Sequence, residues 1–197
     1  MLTEIRAALR PALSLLLAAT LLTGLGYPLL VTLMAQLVFP QQANGSLIED
    51  RGHVVGSELI AQSFAGPGWF HPRPSAAGTG YDGSASSASN LAPGSKDLAA
   101  AIAARIAALR AEGMSGTAVP SDLVTASASG LDPDLSPGAA LVQIPRIAAA
   151  RGLPEVRVRA LVAAATQWPL LGLIGEPHVN VLALNRQLAA IGAKPAR

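Results

Sequence analysis

PALSLLLAATLLTGLGYPLLVTLMAQLVF, residues 11–39, is the stretch that decides the fold. A helix needs about 20 apolar residues to cross roughly 30 Å of membrane hydrocarbon. The segment from Leu13 to Met34 provides that length without a charge. Pro28 lies inside it, and a proline is tolerated in a membrane helix whose neighbours satisfy the freed carbonyl. We therefore predict one transmembrane helix over residues 11–39, kinked at Pro28 and not ended by it.

The charges on the two sides of this helix predict its orientation. Arg6 and Arg10 lie on the N-terminal side, whereas residues 36–48 carry no positive charge. Because cytoplasmic flanks are enriched in Lys and Arg, we expect residues 1–10 in the cytoplasm and residues 40–197 outside it. A cleaved signal peptide is the alternative, but its apolar core is usually about 7–15 residues. The uncharged segment here is far longer, and no convincing A-x-A site follows.

Small and polar residues within the helix are candidates for contact with a partner helix, since they let backbones approach closely. The other interpretation is an ordinary Ala- and Leu-rich span with incidental small residues. The candidate contact residues are Thr20, Thr23, Gly24, Tyr27 and Pro28.

The composition limits the classes of function. Of the 197 residues, 51% are hydrophobic and 13% are charged, against roughly 25% charged residues in an average soluble domain. The net charge of +2 comes from scattered Lys and Arg, which does not favour nucleic acid as a partner. The chain has no cysteine, so disulfides, thiolate metal sites and a cysteine nucleophile are excluded.

The first part of the predicted external domain reads as a hairpin followed by a long loop. Residues 46–60 place apolar pairs on both sides of a polar turn that contains Gly52, the pattern of a β-hairpin. Residues 57–64 predict a short helix capped by Ser57. Residues 65–94 are rich in Gly, Pro and Ser but contain several aromatic residues, so we expect a loop packed onto the domain.

The rest of the domain predicts helices. Ser95 caps a helix over residues 95–112 with an apolar stripe at helical spacing, and Gly113 stops it. Ser136 and Pro137 mark the start of the next helix. We expect that helix to end at about residue 151. Two further helices are predicted over about 153–167 and 179–190. The fold class is therefore one transmembrane α-helix plus an extracytoplasmic α/β domain, α-rich and of the α+β type.

Motifs for catalysis are missing from the sequence. It contains no P-loop, no D-K-T-G phosphorylation site and no G-x-S-x-G elbow. His53, His71 and His178 lie far apart, so no metal site is predicted. Because triads assemble from distant positions, a membrane-anchored extracytoplasmic serine hydrolase is the alternative function. It would combine a serine of residues 84–95 or 127–136 with His71 or His178.

Polar residues in three places leave two interpretations open. Arg73 lies between two prolines. Its guanidinium would serve as a contact for a partner or an anion, or it would donate hydrogen bonds to carbonyls of its own loop. Residues 127–134 fit either a recognition loop or a turn that precedes a helix. Gln143 and Arg146, one helical turn apart, would reach either a ligand or one of these loops.

Six segments, in this order, resemble the C subunit of the Kdp potassium-transporting P-type ATPase. With the anchor they cover almost the full chain. They are VGSELIAQ (55–62), WFHPRPS (69–75), SNL (89–91), residues 127–137, residues 143–152 and GEPHVNVLALN (175–185).

The resemblance implies a non-catalytic accessory subunit of an ATP-driven potassium uptake complex in the bacterial inner membrane. It implies three protein partners: a channel-like subunit that carries K+, a P-type subunit that hydrolyses ATP, and a very small fourth subunit. The helix would lie in membrane lipid against the channel-like subunit. The domain would lie over the external mouth, where it would stabilise the assembly and modulate access of K+.

The resemblance also implies candidate sites. A proposed role in raising ATP affinity would fall on Gln143, although the chain's own motifs predict no cofactor. ATP is cytoplasmic, so this role conflicts with the predicted orientation. The candidate docking residues in the motif loops are Ser57, Gln62, His71, Arg73, Ser75, Asn90, Ser129 and Asp132.

The chain departs from the family pattern at three places. Asp134 stands where the family has a histidine, Pro72 replaces a glycine, and residues 86–88 replace a glycine-rich run. A role that rests on that histidine or on a flexible loop is not predicted here. Four carboxylates would either shape an acidic field or form ordinary solvated surface. They are Glu58, Asp132, Asp134 and Glu176.

Overall fold

The computed structural model describes residues 2–114, 118–169 and 172–191, so Met1 and the last six residues of the predicted domain lie outside it. It separates into two compact units, residues 1–47 and 48–197. The first contains a helix over Thr3–Val38 that is long and apolar enough to cross a membrane, and none of its apolar window is buried. This helix is the predicted one. The predicted membrane boundaries at residues 10 and 39 stay predictions.

The helix changes its hydrogen bonding just before Pro28. It consists of α1 (Leu2–Ala19), a π-helical segment (Thr20–Gly26) and α2 (Tyr27–Val38), and a short α3 (Pro40–Ala43) follows. Because Pro28 has no N–H to donate, the backbone upstream must re-pair. The Tyr27 N–H accordingly bonds to the carbonyl of Leu22, five residues back. The helix thus continues through the proline, as predicted.

The second unit begins with the predicted hairpin, β1 (Leu47–Asp50) and β2 (His53–Ser57). Its turn residues Arg51 and Gly52 both have positive φ, 52° and 80°, as a two-residue hairpin turn requires. The helix predicted over residues 57–64 is wrong. Ser57 ends β2, and a turn and irregular chain follow, because the Ala61 N–H bonds to the Leu131 carbonyl at 2.8 Å and not to a helical partner.

Residues 65–94 form no helix or strand, yet they are packed onto the domain as predicted. Phe70 and Ala77 within them are fully buried. The loop ends at α4 (Lys96–Ala111), which is capped by Ser95 through a 3.2 Å bond from the Leu98 N–H.

The single helix predicted from Pro137 to Arg151 is two helices, which corrects the prediction. They are α5 (Pro137–Leu141) and α6 (Ile144–Arg151). Pro145 breaks the run, because it lacks an N–H and its ring would clash with the carbonyl four residues earlier. The break places Gln143 at the start of α6, and Gly152 with φ 64° ends that helix as predicted.

The last part of the unit contains a small sheet that the sequence did not predict. Helix α7 (Glu155–Ala165) leads into β4 (Thr166–Gln167), and β5 (His178–Asn180) leads into α8 (Val181–Ala190). Strand β5 lies between β3 (Asp134–Leu135) and β4, antiparallel to both. Strands of two or three residues are too short to show a period of two. The domain is therefore mixed helix and sheet, and the hairpin is not its only β element.

The core lies between α5, α6, α7, α8 and the central strand. Its largest buried side chains belong to those elements, to β3 and to the long loop. They include Phe70, Leu135, Ile144, Ile147, Val158, Val162, Val179, Leu184 and Leu188.

Candidate functional site

Two buried amide side chains clamp consecutive residues of the long loop, and Gln143 is the first. It is 1% exposed. Its Oε1 accepts from the His71 N–H at 2.9 Å, and its Nε2 donates to the His71 carbonyl at 3.1 Å. The same Nε2 donates to the Ala139 carbonyl at 3.2 Å, and Arg146 Nη2 donates to Oε1 at 2.9 Å. Gln143 therefore reaches a loop of its own chain, the second of its two interpretations.

Asn185 on α8 is the second clamp. It too is 1% exposed. Its Oδ1 accepts from the Phe70 N–H and its Nδ2 donates to the Phe70 carbonyl, both at 2.9 Å. The two amides thus pair with two adjacent loop residues as strands would, because a buried backbone must find partners for its N–H and C=O groups. We call residues 66–75 the clamped loop.

Two arginines of α6 bind the carbonyls at the start of the clamped loop. Arg146 donates to Pro67 at 2.8 Å and to Trp69 at 3.1 Å. Arg151 Nε donates to Gly68, and its guanidinium lies 4.2 Å from the centre of the Trp69 ring. Such a contact stabilises the cation over the aromatic face. The loop is thereby fixed from helices that follow it by 70 residues or more in sequence.

His71 lies beside this cluster. Its Nε2 is 2.9 Å from the Gly66 carbonyl and its Nδ1 is 3.6 Å from Glu112. Burial, followed by the nearby Arg146 charge, lowers the pKa of His71 below its usual value. The imidazole is therefore neutral near pH 7, as suits a group beside a buried guanidinium.

Arg73 forms an ion pair inside the domain. Its Nη1 lies 3.0 Å from Asp132 Oδ2, and Nη2 lies 3.5 Å from the Thr125 hydroxyl. Its own carbonyl accepts from the Tyr81 hydroxyl at 2.9 Å. Arg73 and Asp132, both candidate docking residues, thus bind each other and fix the loop 127–134 against the clamped loop.

Ser75 and Ser129 join the same loops through the backbone. The Ser75 hydroxyl donates to the Gly130 carbonyl at 2.6 Å and accepts from the Tyr81 N–H at 2.8 Å. The Ser129 carbonyl accepts from the Ser87 N–H at 3.0 Å. Residues 127–134 are therefore, at least at Ser129 and Gly130, a turn with a structural role. Ser75 and Ser87 hold this turn from two different parts of the long loop.

Carboxylates of three segments meet in an acidic groove of about 160 Å³. Burial, with the neighbouring Asp132, raises the pKa of Asp134, against the pull of His178 at 3.9 Å. Three acidic candidates share this groove, and Glu58 lines a neighbouring one with Asp134. Within the part of the chain that the structure describes, no three His, Cys, Asp or Glu are close enough to hold a metal ion. The groove lining includes Arg73, Asp122, Asp132, Asp134, Glu176 and His178.

The remaining candidates lie apart from the clamp. Gln62 Nε2 donates to the Ser57 carbonyl at 3.1 Å and packs over Gly56. Asn90 is exposed, with a positive φ of 51°. The helix candidates Thr20 to Pro28 are exposed on the first unit, and Thr23 Oγ1 donates to the Ala19 carbonyl at 2.7 Å.

The hydrolase alternative gains no support from the geometry. The ring of His71 faces Gly66 and Glu112, and that of His178 faces Glu176 and Asp134. The candidate serines bond elsewhere, as Ser84 does to Asp82 at 2.7 Å and Ser86 to the Ser129 carbonyl at 2.9 Å. A serine nucleophile needs a base within hydrogen-bond reach, and neither histidine is placed as one.

The clamp and most of the acidic groove are built from the motif segments, and comparison with known proteins agrees with the resemblance that these segments carry. The family model described as KdpC, "K+-transporting ATPase, c chain", matches residues 9–190. The chain belongs to the KdpC family. Proteins named "Potassium-transporting ATPase KdpC subunit" are similar over nearly their whole length.

Three of these relatives show the extent of the similarity. The protein of Caulobacter vibrioides is 60% identical over 183 residues, 92% of each chain. That of Rhodospirillum rubrum is 58% identical over 182 residues, 91% of this chain and 94% of the relative. That of Sorangium cellulosum is 56% identical over 190 residues, 95% of this chain and 99% of the relative. The KdpC family is thus shown over both units.

Sequence reasoning missed three of the residues that build this KdpC site. Asn185 and Arg151 were included only as members of motif segments, and Asp122 was not considered. Asp122 Oδ2 accepts from the Ser136 N–H at 2.8 Å, at the start of α5. The one signal for Asn185 was its place in the motif segment 175–185, which does not say what the amide bonds.

Proposed function

We propose that this chain is the non-catalytic accessory subunit of a potassium-transporting P-type ATPase, and that it stabilises the assembly of the channel-like and ATP-hydrolysing subunits. The observation that carries the proposal is the match to the KdpC family over residues 9–190. Relatives that carry the potassium-transport name cover at least nine-tenths of the chain. The helix Thr3–Val38 supports the membrane setting.

The domain acts in this proposal as a rigid body outside the cytoplasm, next to the external mouth of the channel-like subunit. The charge asymmetry around the helix supports this side. The clamped loop and the loop 127–134, fixed by the Arg73–Asp132 pair, would present a preformed docking surface. The acidic groove would raise the local concentration of cations such as K+.

Gln143 serves in our proposal as a clamp and not as a ligand of ATP. Its side chain is 1% exposed, and its amide already bonds to His71, Ala139 and Arg146. A nucleotide would have to displace these bonds, and each buried group left without a partner costs about 1–3 kcal/mol. The residues present therefore do not fit ATP at this position.

Assembly is the first test of the proposed function. We expect the full-length chain to co-purify from membranes in mild detergent with the other pump subunits, because the accessory subunit is bound in the complex. Substituting the candidate contact residues of the anchor, Thr20 and Gly24, by leucine should weaken this association, since bulk prevents close helix approach. Leu15→Ile, in the same helix, is the control. A chain that elutes alone while the other subunits stay together would contradict the proposal.

Topology is the second test. We expect alkaline phosphatase fused after residue 197 to be active and a fluorescent-protein fusion at the same position to be dark, because both report an extracytoplasmic C-terminus. The opposite pattern would place the domain in the cytoplasm and would remove the objection to ATP that rests on orientation. The positive charge can be moved to the other side of the helix by Arg6→Gln and Arg10→Gln together with Gln41→Arg and Gln42→Arg. This change should increase the fraction of the fluorescent-protein fusion that is fluorescent.

A further inference from the structure

Three large apolar side chains that follow β4 are exposed and have no role in the site described above. Residues 168–175 read WPLLGLIG, without a charge or a polar side chain. Trp168 is 74% exposed, Leu173 86% and Ile174 68%. Residues 170 and 171 lie outside the described part of the chain, and the surface is defined without them. Leu173 and Ile174 follow Trp168 closely in sequence, and exposed apolar side chains of this size mark an interaction site when they form a contiguous patch.

A groove of about 320 Å³ adjoins Trp168. Its walls are apolar, from α5, α7 and the end of β4, and Arg159 is the charged residue in its lining. Leu141 and Val162 form part of the floor. The combination of an apolar slot with one guanidinium suits a ligand that has both a hydrocarbon part and an anionic part. We call Trp168, Leu173, Ile174 and this groove the Trp168 surface.

We propose that the Trp168 surface binds phospholipid of the membrane that holds the anchor. Arg159 would bind the lipid phosphate, and Trp168 with the groove would receive the apolar part at the headgroup boundary. Leu173 and Ile174 would enter the same boundary. The inference rests on the proposed membrane anchoring and adds a second, interfacial contact to it.

The covalent connection to the anchor favours lipid as the occupant. Nine residues, and hence ten Cα–Cα steps, join Val38, the end of the helix, to Ile48, the start of the second unit. Such a connection spans at most about 36 Å, since an extended chain covers roughly 3.3–3.6 Å per residue. The domain therefore stays within reach of the bilayer surface, where the lipid concentration is high. Tryptophan is also the side chain enriched at that boundary.

The charges near the surface define which lipid group is recognised. Arg159 lines the groove, Glu155 and Arg157 are exposed on the same helix, and Glu176 follows Ile174 by two residues in sequence. The formal charges of these four residues cancel, so we expect attraction to depend on the local contact between Arg159 and a phosphate. We accordingly expect a modest preference for anionic lipid and not a strong dependence on salt.

Tryptophan quenching by brominated lipid tests the proposal in the full-length chain. The chain has two tryptophans, so Trp69→Phe leaves Trp168 as the reporter and Trp168→Phe leaves Trp69 as the matched control. In vesicles of phosphatidylcholine and phosphatidylglycerol, brominated acyl chains should lower Trp168 emission about twofold, because interfacial groups lie roughly 5–10 Å into the acyl boundary. Trp69, which packs on Arg151, should change little. Arg159→Gln in the Trp69→Phe chain should reduce the quenching in anionic vesicles.

A second reporter keeps the test decisive if Trp69→Phe folds poorly. The chain has no cysteine, so a nitroxide on Leu173→Cys is unique, and Ala107→Cys on the exposed side of α4 is its control. Oxygen is more soluble in lipid than in water. We therefore expect it to increase the spin-relaxation rate of the nitroxide at residue 173 more than that of the nitroxide at residue 107. Equal exposure to water at both positions would overturn the proposal. Protection of Trp168 that appears only when the other pump subunits are added would also overturn it, because it would indicate a protein partner.

Carbonate extraction separates the two proposals: a chain released by carbonate refutes the anchor, whereas a retained chain with unquenched Trp168 refutes the lipid contact alone.

Discussion

Replacing Gln143 by alanine is expected to lower the free energy of unfolding of the domain by about 2–4 kcal/mol, because buried polar groups lose their partners. The groups are the N–H and carbonyl of His71 and the guanidinium of Arg146. Thermal unfolding of the full-length chain in mild detergent, followed by the fluorescence of Trp69 in the clamped loop, measures the loss. Asn185→Ala should cost a similar amount, since it strands the N–H and carbonyl of the fully buried Phe70.

Gln187→Ala is the matched control, because Gln187 lies on the same helix as Asn185 and is exposed. Its unfolding temperature should stay near that of the unchanged chain, as for most exposed substitutions. Unfolding of Gln143→Ala at the unchanged temperature would contradict the clamp.

The same variants separate a clamp from a nucleotide ligand. If Gln143 bound ATP, Asn185→Ala would leave any ATP titration of the chain unchanged while Gln143→Ala abolished it. A clamp predicts that both variants impair assembly of the complex in parallel with their loss of stability. We expect the unchanged chain to show no saturable binding at millimolar ATP. Saturable binding that only Gln143→Ala removes would overturn the assignment.

Replacing Gly130 by alanine is expected to destabilise the loop 127–134 by about 3 kcal/mol or more, from the left-handed backbone and from overpacking. Gly130 has φ 66°, and a Cβ there would lie 2.6 Å from the Ser87 carbonyl oxygen and 2.7 Å from the Ala77 N. Both are backbone atoms, so they cannot turn away as a side chain would. Relief requires moving the segments that Ser75 and Ser87 tie to this loop.

Limited proteolysis with thermal unfolding checks this prediction, with faster cleavage expected within residues 76–94. Gly138→Ala in α5 is the control, because its Cβ would meet only the Ser136 hydroxyl at 3.9 Å and alanine favours helix by up to about 1 kcal/mol. Equal effects at the two glycines would mean that the close approach at Gly130 does not limit the packing.

Local signals in the sequence were sufficient for the anchor and for most helices. The uncharged length up to Met34 predicted the long helix, and caps such as Ser95 and stops such as Gly152 predicted helix ends. The caps and stops act within about four residues, and the anchor is a single continuous segment, so no fold is needed to interpret them. The local reasoning was wrong at two places. Pro145 divides the predicted helix into α5 and α6, and the bond from Ala61 to Leu131 replaces the helix predicted over residues 57–64.

The candidate site was predicted only in part. The motif segments included Gln143, Arg73 and Asp132, but the pairing of Arg73 with Asp132 and the meeting of the carboxylates in one groove were not predicted. Gln143 and Arg146 had two interpretations that the sequence left equal.

The sequence by itself determined that this chain has one uncharged helix able to span a membrane, and that it belongs with the KdpC family. The tertiary structure decided what the two buried amides do: Gln143 and Asn185 hold residues 71 and 70, which lie 72 and 115 positions away along the chain. Helix signals are local because helical hydrogen bonds connect residues four apart. A buried amide instead bonds whichever backbone groups the packing brings to it, and only the folded domain specifies those groups.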